Sequence, residues 1–193
     1  MSLVELIARA DARGLAGSGL ACLDRCVPLL DGDDEVLRPL WATLADEAGD
    51  RDGTGPGGDW ARRLEQVRDK LAGPGAADED EAVLLARRML AAAPAECSGA
   101  GLRAWADACS VASLRIHRLL DPAADAGAGG DPHRAARTEA LAPLVAAELR
   151  RQVTVLDVLA GHGPAGLRRA LEISTEGRRV LRAVVSRRAR GRA

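Results

Sequence analysis

This chain of 193 residues contains no Phe and no Tyr. Strands draw on aromatic and β-branched side chains to cover a pleated surface, and a chain so poor in them has little with which to build a sheet. It is rich instead in Ala, Leu and Arg, residues of high intrinsic helix propensity. Apolar residues recur at helical spacing and are cut apart by Gly, Pro and Asp. The expected fold is therefore all-α, a compact multi-helix bundle of about seven or eight amphipathic helices. An α-solenoid of helical hairpins is the alternative, but nothing repeats at an offset of about 34 or 40 residues.

Local signals place the elements. Ser2 and Glu5 form a capping box ahead of Leu3, Leu6, Ile7 and Ala10, a stripe that Gly14 is expected to end. A second helix is predicted over 18–30, disturbed in its last turn by Pro28. Asp31, Asp33 and Asp34 open a third helix that turns Leu37, Leu40, Trp41 and Leu44 inward and ends near Gly49. A Gly/Pro/Asp loop covers 50–58, and Asp59 caps a helix over 60–72. Acids at 78–81 start a helix that breaks near Pro94, and another runs from Ser98 or Gly99 to Asp121. A second loop is expected at 123–130. A long apolar pattern then reaches Leu159, with Pro143 either starting or kinking its helix. After the turn at Gly161 to Pro164 comes a last helix. We read residues 1–186 as one helical domain and 187–193 as a basic tail.

Net charge is −1, with apolar residues at 47% and charged residues at 28%, a globular rather than a disordered balance. The charge is unevenly spread. Residues 1–60 carry twelve acids against five Arg, and residues 161–193 carry nine Arg against Glu172 and Glu176. The two ends can attract each other within one fold or between two copies, or the basic end can face an anionic partner. Lys70 is the single Lys, so the Arg count follows a preference of usage and does not by itself mark nucleic-acid binding. No apolar run approaches the ~18 residues of a membrane span, and the N-terminus lacks the basic start of a secretory signal. A cytoplasmic location is the expectation, with the four Cys as reduced thiols.

No motif selects a catalytic residue. Cys22 and Cys26 share a helix face, but with Cys97 and Cys109 they lack the spacing of a zinc knuckle, so no metal and no cofactor are expected. His117 and Asp121 lie four apart without the Glu-x-x-His pattern of di-iron bundles, and read as a polar pair at a helix end. Trp41, Trp60 and Trp105 are the candidate walls of an apolar pocket, with His117 or His162 as its polar group, although a core without Phe and Tyr also needs Trp as filler. Gly163 precedes a helix carrying Arg168 and Arg169, and with Arg178, Arg179 and Arg182 these form a candidate anion-binding set.

Three functions fit these features. The first is a non-enzymatic helical protein acting through helix-face contacts, as a homodimer or an adaptor for another protein. The second is a small-molecule-binding or catalytic bundle. The third is a regulator whose Arg-rich C-terminus contacts nucleic acid, a weaker case because no aromatic residues interleave with the arginines.

Overall fold

A computed structural model describes residues 2–45, 57–73, 80–97, 99–121 and 142–191. Among them the chain is an all-α multi-helix bundle with no strand. Eight α-helices are described: α1 (Leu3–Arg9), α2 (Ala12–Cys26), α3 (Arg38–Ala45), α4 (Gly57–Leu71), α5 (Glu81–Ala91), α6 (Gly99–Leu120), α7 (Pro143–Gly161) and α8 (Gly163–Gly191). A single 3₁₀ turn, Val27–Leu29, extends α2 and takes up Pro28.

The bundle is built around α2, which packs against α6, α7 and α8. Every residue from Gly14 to Cys26 is buried. A helix sunk on all sides needs small residues where its neighbours come closest, and the run from Gly14 to Cys22 supplies Gly, Ala and Ser between its leucines. A Cβ on Gly19 would stand 2.7 Å from the Trp105 ring of α6, and one on Gly17 would stand 2.9 Å from Leu159 of α7.

Several boundaries differ from the sequence reading. Gly14 does not stop a helix; it lies in the first turn of α2, where its amide donates to the Asp11 carboxylate at 2.7 Å. That side-chain cap breaks the chain at Ala10 and Asp11 instead, so α2 begins six residues before the expected start of the second helix. Residues 31–37 are not α-helical, with turns at Asp31 and over 34–37, so the third helix begins at Arg38. Asp59 sits inside the first turn of α4, ion-paired with Arg62 and with Arg63. Pro143 begins α7 as its first residue. Helix α8 continues to Gly191, so Arg187–Gly191 are helical rather than a trailing tail. Most of the expected loop at 50–58, and all of that at 123–130, lies outside the described residues.

Candidate functional site

Two adjacent charged residues of α2, Asp24 and Arg25, are both fully buried, and each anchors a separate polar cluster. Successive residues of a helix point in directions about 100° apart, so the pair reaches toward different neighbours.

Arg25 reaches α7. Its Nε donates to Glu148 Oε2 at 2.8 Å and its Nη2 to Oε1 at 2.6 Å, a two-point ion pair with neither side chain exposed. Glu148 Oε1 also accepts from Ser113 Oγ of α6 at 2.8 Å and from Gln152 Nε2 at 2.9 Å. Gln152 Oε1 in turn accepts from Ser110 Oγ at 2.6 Å. His117 Nε2 stands 3.5 Å from Glu148 Oε2, while its Nδ1 lies 2.8 Å from the Ser113 carbonyl. One carboxylate thereby ties α2, α6 and α7 together.

Burial pushes the Glu148 carboxyl up, but Arg25, then His117 and the hydrogen bonds from Arg25 and Gln152, overcome it and hold it at about 2. Burial works the other way on His117 and, against the pull of Glu148, lowers its imidazole below the usual range. Cys22 and Cys26 lie beside this cluster, with Arg25 Nη2 3.4 Å from the Cys22 sulfur. Burial first, and then the Glu148 charge against the pull of Arg25, push the Cys22 thiol up to about 12 and the Cys26 thiol up as well, so both stay protonated and unreactive.

Asp24 faces the other way. It forms a very close ion pair with Arg178 of α8 and accepts from Trp41 Nε1 at 3.3 Å. Burial raises its carboxyl even with Arg178 opposing. Asp34, half exposed, lies 3.2 Å from Arg178 Nε and 2.8 Å from Arg182 Nη2. Asp24, Trp41, Arg178 and Thr175 are among the residues lining a small cavity of about 30 Å³, large enough to hold water.

The sequence-selected residues scatter across this framework. Trp60 and Trp105 meet edge to face with ring centres 6.1 Å apart, and their indole N–H groups donate to the Pro94 and Met89 carbonyls. Both are core filler with satisfied donors. Trp41 belongs to the Asp24 cluster. His117 belongs to the Glu148 cluster, three turns along α6 from Trp105, and His162 is exposed at the junction of α7 and α8. Asp121 Oδ2 accepts from the Leu144 amide at 2.8 Å at the start of α7.

Of the arginines, Arg168 and Arg179 are exposed, and Arg169 pairs with Glu172 at 2.9 Å. Arg178 is buried and Arg182 is tied to Asp34, so the N-terminal acids already engage both. Gly163 starts α8. No group of three or more His, Cys, Asp or Glu among the described residues is placed to hold a metal ion.

The residues that sequence reasoning passed over are Arg25, Glu148, Gln152 and Asp24. Each was visible as a polar residue in the apolar register of its helix, and that break in pattern was the available signal. Comparison with models of protein families, with curated proteins and with solved structures gives no significant match to this chain.

Proposed function

We propose that this chain is a non-enzymatic helical contact protein that works by helix-face association, with a second copy of itself as the preferred partner and an adaptor role toward another protein as the variant of the same reading. The observation that carries it is the outer half of α8. Arg179, Arg187 and Arg190 are exposed there and, with Arg182, fall on one side of the helix around the small residues Ala183 and Ser186. Beside Arg182 lies an open groove of about 450 Å³, lined by Pro28, Asp31, Gly32, Asp33, Asp34 and Arg182. Asp31, Asp33 and Glu35 are exposed at this turn, and Asp31 holds a left-handed φ of 53°.

Such a surface carries both signs of charge at separate places. That arrangement complements a copy of itself turned about a two-fold axis. A polyanion such as nucleic acid would meet the carboxylates together with the arginines, which makes it the less supported partner. Among the described residues the exposed large apolar side chains, Val4, Leu84, Val111 and Val180, belong to four different helices, so charge rather than a single apolar patch of these helices would hold the contact. No described helix is long and apolar enough to cross a membrane. The four free cysteines suit a reducing compartment, and on that ground we assign the protein to the cytoplasm.

Light scattering after size exclusion tests the reading. The expected result is a dimer at low salt that dissociates as salt rises, and that is lost in the Arg187→Glu/Arg190→Glu variant. A monomer at low salt, or a dimer indifferent to both changes, overturns self-association through this face.

A further inference from the structure

We propose that two copies of the chain pair through α8 in antiparallel orientation, crossing at Ala183, with Glu176 of each copy ion-paired to Arg190 of the other. This rests on the self-association proposed above and fixes its geometry. Helix α8 turns Leu167, Ala170, Ser174, Arg178 and Leu181 into the bundle. On the opposite side a line of residues three and four apart reads Glu172, Glu176, Arg179, Ala183, Ser186 and Arg190, and every one of them is exposed. Alternating steps of three and four are those along which two helices mesh their side chains in a common seam. From Glu176 to Arg190 the line runs for about 21 Å, or nearly four turns.

The order of residues along this line selects the orientation. Acids come first and arginines follow, with the small Ala183 and Ser186 set between Arg179 and Arg190. A parallel copy would place Glu176 on Glu176 and Arg190 on Arg190, which repels at both ends. An antiparallel copy does the opposite. Glu176 lies seven residues before Ala183 and Arg190 seven after it, while Arg179 lies four before and Ser186 three after. Crossing at Ala183 therefore sets Glu176 against the partner's Arg190, Arg179 against its Ser186, and Ala183 against itself. Glu176, whose charge reaches Arg151, makes no hydrogen bond or ion pair among the described residues, and Arg179 and Arg190 make none. Glu172, by contrast, is engaged by Arg169.

Small side chains at the crossing let the two helix axes come to about 8 Å, the near end of the usual range. Val180, exposed three residues before Ala183, lies on the flank of the seam, so the contact also covers part of it. Arg178 and Arg182 are turned to Asp24 and Asp34 and fasten α8 to the bundle from its other sides. The seam is thus presented on a helix already held in place, and pairing orders little beyond side chains. With exposed ion pairs at its ends and little apolar area between them, the dimer should be weak and sensitive to salt.

The test is the dimer Kd of the full chain at low salt, measured by sedimentation equilibrium. Glu176→Arg and Arg190→Glu should each weaken the dimer about ten-fold or more, because each turns two attractive pairs into repulsive ones. Glu176→Arg/Arg190→Glu restores both pairs with their signs exchanged and should recover the Kd of the unmodified chain. Ala183→Cys, made together with Cys97→Ser so that the remaining native thiols are buried, should give a disulfide-linked dimer on treatment with diamide, and Ala189→Cys should not. A dimer indifferent to Glu176→Arg, a double variant no tighter than the single ones, or no cross-link at residue 183 would each overturn this arrangement while leaving self-association standing. An unmodified chain that is monomeric at low salt would overturn both.

Discussion

Glu148 is the side chain on which most of the buried chemistry converges. Replacing it by Gln keeps the size but leaves Arg25 charged in a fully buried position, with no opposite charge to offset its desolvation. The expected loss is about 3–5 kcal/mol of unfolding free energy, read by chemical denaturation. Acid should do the same by titration. The folded Glu148 carboxyl is depressed from 4.5 to about 2, so its contribution is complete above the unfolded value and disappears as pH falls through that interval. His117 acts earlier and in the same direction. Its folded value is lowered, so below about pH 6.5 the unfolded chain takes up a proton that the folded chain refuses. Tm should therefore fall in two stages between about pH 7 and pH 2, and His117→Gln should remove the upper stage and, by taking away part of the pull on Glu148, move the lower stage to higher pH. A Tm that is flat from neutral pH to about pH 4.5 would show that His117 does not differ between the folded and unfolded states, and one that stays flat on to about pH 2 would show the same of Glu148.

At the scale of elements, the corner between α7 and α8 shows how a glycine-rich turn is used. A Cβ on Gly166 would lie 2.3 Å from the Val158 carbonyl oxygen, a backbone atom that cannot move aside cheaply. Gly161, at the end of α7, has nothing within 4 Å. Gly166→Ala should thus cost about 1–3 kcal/mol, as overpacking does, while Gly161→Ala should be neutral or slightly stabilising through helix propensity. Urea midpoints of the two variants, measured side by side, check this; equal midpoints would mean that α8 does not press on α7 here. The sequence already marked this stretch as a turn, and its periodicity located α5, α6 and α7 to within a few residues. It failed at α2 because Gly14 carries a stop signal that the Asp11 side chain overrides. It failed more completely at Asp24, Arg25 and Glu148. Their partners lie more than a hundred residues away along the chain, and no local pattern encodes which helix a buried charge will face.

For the molecule as a whole, the acidic N-terminal end (1–60) and basic C-terminal end (161–193) read from the sequence meet inside one fold. Asp24 and Asp34 draw Arg178 and Arg182 of α8 onto α2 and the turn that follows it. These two arginines should behave very differently when changed. Arg182 and its partner Asp34 are both nearly half exposed, so Arg182→Met should cost about 0–1 kcal/mol, and salt should shrink even that. Arg178 is buried, and Arg178→Met leaves the Asp24 carboxylate in the core with only Trp41 to donate to it. Asp24 can escape part of this cost by taking up a proton, since burial already raises its carboxyl and the loss of Arg178 removes the main opposition. A folded carboxyl raised above its unfolded value contributes stability at low pH that is lost as pH rises. The deficit of Arg178→Met relative to the unmodified chain should therefore widen between about pH 5 and pH 8, reaching about 3–5 kcal/mol at the upper end. Denaturation curves of both proteins at the two pH values decide the matter: a deficit that is constant or narrows with pH would mean that Arg178 holds α8 by its packing and not by its charge.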